Sequence, residues 1–238
     1  NQDHTQFHYA ARTATNSAVL NGKILRIRPR ENGGYTIPDG NLFPIGTPQT
    51  RPEIYVMGCR NPFRISIDQR TSHLYWGENG PADHYCGSLQ NVDKKLLPLG
   101  FDEFNQARKP GYFGWPFFIG PNESYPDYSF EKKEVMGVFD PAKAINHFKE
   151  NTGIEELPPT QQPLIWYSHP PSKAFPSLGS GGAFNKMMIT SGQWSSIDEL
   201  YCAYCIIKYL GLGEFVKSLK SREACVDSKY SVVTVECH

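Results

Sequence analysis

A chain of 238 residues with 24 basic and 24 acidic side chains is electrically balanced, which gives no reason to expect nucleic acid or an anionic membrane as partner. No apolar run approaches the roughly 20 residues that span a bilayer, so no membrane insertion is predicted. All 19 prolines fall between Pro29 and Pro176, and with 21 glycines they describe a turn-rich β protein.

The chain opens in polar sequence, Asn1-Gln2-Asp3-His4-Thr5, and reads as a processed or truncated product. Residues 1–20 show no clear period and are predicted as loop. Residues 23–28 alternate apolar and basic side chains and stop at Pro29, which predicts a strand. Gly33-Gly34 and the run Pro38-Asp39-Gly40-Asn41 are turn chemistry, and residues 53–58 form a second strand. Residues 63–68 alternate strictly, turn through 69–72 and return over 73–78, so they predict a hairpin. Residues 82–100 have weak period and form an inserted loop, residues 101–108 the next strand, and residues 111–116 a turn.

Residues 121–162 read as a long irregular excursion, the kind of segment that serves as a lid or binding surface. Residues 163–167 return as a strand. A proline-free tail then begins near Gly182. Ser196 and Glu199 have the spacing of a helix capping box, and apolar residues from Leu200 to Leu212 keep a helical period. A further short helix covers 214–221, and residues 230–235 can form a strand. Short strands, dense turns and the lack of strand–helix alternation favour a propeller, barrel or sandwich.

Chemistry concentrates where strands end. The pair Arg60-Asn61 can grip a planar, multiply charged ligand, and the carbonyls of Gly80 and Pro81 beside carboxylates can hold a hard cation. Each has a plainer reading. Arg60-Asn61 can tie strand ends, and Glu78, Asp102 and Glu103 can be solvated loop carboxylates. Trp76 and Trp115 are read as core aromatics. Four of the six cysteines, Cys202, Cys205, Cys225 and Cys237, lie in the tail. Without a second close pair, they read as structural or incidental thiols ahead of a zinc site.

The motifs Gly22-Lys23-Ile24-Leu25-Arg26-Ile27, Gly58-Cys59-Arg60-Asn61-Pro62, Glu78-Asn79-Gly80-Pro81, Asp102-Glu103-Phe104-Asn105 and Tyr112-Phe113-Gly114-Trp115-Pro116 occur in that order. Together they resemble the quinoprotein glucose/sorbosone dehydrogenases over about residues 20–182. The resemblance implies an all-β fold: two to three blades of a six-bladed β-propeller over 1–182. The partly helical tail, 183–238, lies outside the resemblance and is of unknown origin.

It also implies pyrroloquinoline quinone (PQQ) and calcium as cofactors and a sugar as substrate. Arg60 and Asn61 match the pair that contacts the quinone, and Asn79 stands where well-known members carry Gln. Gly80 and Pro81 match the backbone ligands of the cofactor-side calcium. Asp102 and Glu103 match an acidic pair associated with a second calcium, here separated from Gly80 by an insertion. The family's catalytic base is a histidine upstream of these motifs, so the resemblance assigns no catalytic residue here, and neither His4 nor His8 is chosen.

The implied activity is oxidation of an aldose or related sugar by a periplasmic or extracellular parent protein, the isolated chain being inactive. The competing expectation is a non-catalytic propeller module that binds carbohydrate or protein at a cell surface.

Overall fold

The computed structural model describes residues 6–68, 70–81, 92–168 and 231–235. Among these residues the regular elements are almost wholly strands, with one short α-helix and one 3-10 turn. The strands are, in order, β1 (Lys23–Pro29), β2 (Tyr35–Thr36), β3 (Ile54–Met57), β4 (Pro62–Ile67), β5 (Leu74–Glu78) and β6 (Phe101–Ala107). They continue with β7 (Gly111–Tyr112), β8 (Phe118–Ile119), β9 (Glu123–Ser124), β10 (Pro126–Ser129), β11 (Glu134–Val138), β12 (Ile165–Ser168) and β13 (Ser231–Val235).

The predicted hairpin is the nucleus of a four-stranded sheet ordered β12-β6-β5-β4, antiparallel throughout. Its turn is built by Asp68, whose side chain accepts from the Arg70 amide at 2.9 Å and the Thr71 hydroxyl at 2.7 Å. Such side-chain-to-backbone bonds are why Asp favours turns. An up-and-down sheet of this kind is a propeller blade, and the chain folds as part of a β-propeller. A second sheet runs β13-β1-β3-β7, with β2 paired to β1. The strand expected near the C-terminus is therefore present, with Lys23 opposite Val235 and Ile27 opposite Ser231. The tail helices expected over 200–221 lie outside the described residues, as do Cys86, Cys202, Cys205, Cys225 and Cys237.

Two expectations are corrected. Residues 1–20 are not simply loop, because α1 occupies Gln6–Thr13. Ala10, Ala11 and Ala14 are buried there, and an apolar-period reading gives alanine little weight. The helix end is closed by Lys23, fully buried, whose Nζ donates to the carbonyls of Thr13, Ala14 and Asn21 at 2.7, 3.0 and 2.8 Å. A cation at a helix C-terminus meets the negative end of the peptide dipoles and supplies donors to orphan carbonyls.

The 121–162 excursion is also more ordered than its composition suggests, since β9, β10 and β11 fall within it. Aromatic stacking holds it down. Phe139 lies against Phe117 with centroids 4.0 Å apart, and Phe148 adds a third ring at 6.1 Å from Phe117.

Beneath the blade, Trp76 is fully buried and meets Phe113 edge-on at 4.7 Å, while Ile24, Val56 and Leu74 fill the space around them. Those contacts join the two sheets and fix the point at which the chain leaves β3, crosses 58–61 and enters β4.

Candidate functional site

The site grows from one end of the blade, where β5 finishes at Glu78 and β4 begins opposite it at Pro62. Strand alternation sends Trp76 and Glu78 to one face, and their cross-strand partners on β6, Asn105 and Glu103, to the same face. The result is a buried polar cluster at a strand end. The Glu78 carboxylate is the hub. Its Oε2 accepts from the backbone amides of Arg60 at 2.7 Å and Asn61 at 3.1 Å, and its Oε1 accepts from the Trp76 indole at 3.0 Å. Burial raises the Glu78 pKa, and these donors partly oppose the rise.

Arg60 is held over this hub. Its Nη1 donates to the Asn79 carbonyl at 2.6 Å, and the guanidinium lies 5.5 Å from the centre of the Trp115 ring. A cation facing an indole is attracted by the ring quadrupole. The Arg60 Nε is buried and has no hydrogen-bond partner among the described residues. A guanidinium carries five donors in a fixed fork, so an unserved buried donor is a demand for an acceptor from elsewhere.

The remaining predicted residues fall on two sides of β6. Asp102 Oδ1 accepts from the Gly80 amide at 2.8 Å, and Tyr167 lies opposite Asp102 on β12. Burial first, and the neighbouring Asp102 carboxylate second, push the Tyr167 hydroxyl well above its ordinary range. Gly80 packs so closely on the start of β6 that an added Cβ would lie 1.9 Å from the Phe101 carbonyl oxygen. Glycine is the only residue that permits that approach.

Glu103, facing the other way, accepts from the Gly120 amide at 2.6 Å through Oε1 and from the Asn105 amide at 3.3 Å through Oε2. Burial and the carboxylate of Glu78 push its pKa up to about 8. Asn105 Oδ1 is buried without a partner. It is poised to accept from a protonated Glu103 once the amide turns over.

Asp102 and Glu103 are thus not solvated loop acids, as their plainer reading expects, but buried acceptors for two separate backbone amides. Successive strand residues point to opposite faces, so the two carboxylates answer to different backbone amides. Among the described residues no group of three or more His, Cys, Asp or Glu is placed to hold a metal.

The structure brings Arg60, Asn61 and Asn79 together, Asn61 through its backbone amide and Asn79 through its carbonyl. Sequence reasoning placed neither Glu78 nor Trp115 among the site residues. The available signal for Glu78 was spacing. Trp76 with Glu78 and Glu103 with Asn105 are i, i+2 pairs on predicted strands, which places each pair on one face.

Comparison with known proteins supplies the family. The family model for glucose/sorbosone dehydrogenase matches residues 3–153, more than half of the chain. That match starts earlier and ends earlier than the motifs suggested, taking in α1 and stopping short of β12. The HIPL1 protein of Arabidopsis thaliana is 27% identical over 150 residues, covering 56% of this chain and 19% of its own length. The HIPL2 protein of the same plant is 30% identical over 120 residues, covering 45% and 15%. The chain therefore spans less than a fifth of these curated relatives.

Among solved structures, a glucose dehydrogenase is similar at TM-score 0.37 and 22% identity, over 70% of this chain and 37% of that one. A glucose dehydrogenase of Thermus thermophilus gives TM-score 0.34 and 24% identity, over 65% and 30%. With the family model matched across more than half of its length, the chain belongs to the glucose/sorbosone dehydrogenase family.

Proposed function

We propose that this chain is part of a sugar dehydrogenase that works with pyrroloquinoline quinone, and that Arg60 receives the anionic edge of that cofactor. The observation that carries the reading is the buried Arg60 Nε without a partner, on a guanidinium fixed by the Asn79 carbonyl and faced by Trp115. A rigid, partly desolvated arginine with a spare donor suits a planar, carboxylate-bearing ring better than it suits a neutral ligand.

A bound quinone of this type supplies a two-electron acceptor for a sugar hydroxyl. The protein's part is positioning and charge. Glu78 fixes the 60–61 peptides from below, so the guanidinium need not reorganise when a ligand arrives. Trp115 shields one face of the cation from water. The side-chain amides of Asn61 and Asn79 are proposed as further hydrogen-bonding groups for the cofactor.

For calcium, the proposal keeps only the carbonyl oxygens of Gly80 and Pro81 as ligands. Asp102 and Glu103, already bonded to backbone amides on opposite sides of β6, are assigned to shaping the Gly80 and Gly120 turns. No base is assigned among the described residues. The reading extends to a periplasmic or extracellular location, which fractionation of native cells checks.

The test is reconstitution of the longest natural polypeptide carrying this sequence with PQQ and calcium, followed by dye-linked oxidation of aldoses. Quinone binding should be saturable, and Arg60→Gln should weaken it by roughly tenfold to a hundredfold, the value of charge-assisted hydrogen bonds lost at a buried site. Failure of the unmutated protein to bind the quinone refutes the reading. Glycan binding without any quinone binding or turnover transfers the fold to the non-catalytic module.

A further inference from the structure

At the opposite end of the blade from Arg60 lies a cleft of ≈ 510 Å³, a volume within the range of about 300–1,000 Å³ usual for small-molecule sites. The two ends are distinct. On β6, Gln106 lies four positions beyond Asp102, about 13 Å at roughly 3.3 Å per residue, and Gln106 pairs with Tyr75 where Glu103 pairs with Glu78.

Every side chain lining the cleft is cationic, amide or apolar, and none is acidic. Arg108 is oriented rather than loose. Its Nε donates to Gln106 Oε1 at 2.7 Å, and Gln106 Nε2 donates in turn to the buried Tyr75 hydroxyl at 2.5 Å. That relay engages Nε of the guanidinium, and Arg108 and Lys109 both line the cleft.

The far wall is equally fixed. Gln161 donates through Nε2 to the Pro110 carbonyl at 3.2 Å, and Gln162 through Nε2 to the Pro121 carbonyl at 3.2 Å. The Gln161 amide sits directly on Gly111, where an added Cβ would come within 1.7 Å of Nε2. Each glutamine is thus anchored through Nε2, which leaves its Oε1 without a bond to that carbonyl and able to accept. Pro163 and the exposed Leu164 add an apolar wall.

Paired cations beside fixed amide acceptors and a small apolar surface form a defined chemical pattern. The cations take oxyanions, the amide oxygens accept from hydroxyl groups, and the apolar wall takes the C–H face of a ring. We propose that this cleft binds an acidic saccharide, a short glycan carrying carboxylate or sulfate groups. A neutral sugar leaves both cations unserved, and a simple inorganic anion leaves the amides and the apolar wall unused.

Saturation-transfer NMR on the full 238-residue chain tests this with three probes of similar size: a glucuronate-containing disaccharide, a sulfated disaccharide and maltose. The expected result is saturable binding of acidic probes with Kd of about 1 mM or tighter, weakened several-fold by raised salt because the attraction is between exposed charges. The double variant R108Q/K109Q should lose roughly tenfold or more in affinity. Lys132→Gln, on the exposed turn after β10, should not change it.

Because Arg108 and Lys109 lie at the surface side of the cleft, the double variant is expected to keep its fold, which circular dichroism verifies. Binding of the sulfated probe alone identifies sulfate as the anion, and binding of the uronate alone identifies carboxylate. Maltose binding as tightly as either acid, unchanged affinity in the folded double variant, or no saturation by either acid at roughly 10 mM overturns the proposal.

Discussion

Replacing Glu103 by glutamine tests the electrostatics of the strand-end cluster most directly. Glu103 faces Glu78 across β5 and β6 and is buried with it, and its pKa rises from 4.5 to about 8. Between those two values the folded chain retains a proton that the unfolded chain has released. Stability must then fall as pH rises through that window, with the favourable contribution complete below pH 4.5 and gone above about pH 8. At about 1.4 kcal/mol for each tenfold change in proton affinity, the ceiling is about 5 kcal/mol, which relaxation and water entry reduce to about 2–3 kcal/mol.

Glu103→Gln keeps an acceptor for the Gly120 amide, and its new NH₂ can donate to Asn105 Oδ1 once that amide turns over. The variant should be near wild type at about pH 5 and more stable than wild type at about pH 8.5. The assay is urea unfolding in EDTA at several pH values, read by fluorescence of the buried Trp76 and Trp115. The reasoning fails if both proteins show the same pH dependence, or if the unmutated chain gains stability between about pH 5 and 8.

Three further outcomes follow from the geometry. Gly80→Ala should lower stability by about 2–3 kcal/mol, because the new Cβ meets the Phe101 backbone rather than a yielding side chain; a Tm unchanged in thermal unfolding contradicts this. Lys23→Met should cost about 3 kcal/mol and accelerate amide exchange along α1, since three carbonyls lose their buried donor. With calcium assigned to the Gly80 and Pro81 carbonyls alone, added calcium should shift the Tm of the unmutated and Glu103→Gln proteins equally; loss of the shift in the variant returns Glu103 to the metal ligands.

Much of the blade was legible because its signals are local. Strict alternation over 63–68, turn residues at 69–72 and the return over 73–78 leave little choice but a hairpin, and a one-residue slip would expose Trp76. Arg60 and Asn61 were legible as a strand-end pair and the family resemblance added Asn79; the pairing of β4 with β5 is what brings the three together. What the sequence conceals is the consequence of pairing. Whether Glu78 is solvated or buried depends on β6 closing over it, and β6 arrives after a long insertion.

The same pairing explains why Asp102 and Glu103 serve separate backbone amides. Read as adjacent letters, two acids suggest a shared cation. Read as neighbours on a strand, they are committed to opposite faces, each answering to the backbone amide that its own face encloses. Arg60 shows the converse. Its neighbours in sequence give no hint of a spare donor, and only the fold, by placing Trp115 and the Asn79 carbonyl around the guanidinium, leaves Nε buried with no acceptor among the described residues. A buried donor left open is costly in an otherwise satisfied structure. A ligand that supplies the acceptor recovers that cost on binding, which is why the chemistry centres on Arg60 rather than on the acids beside it.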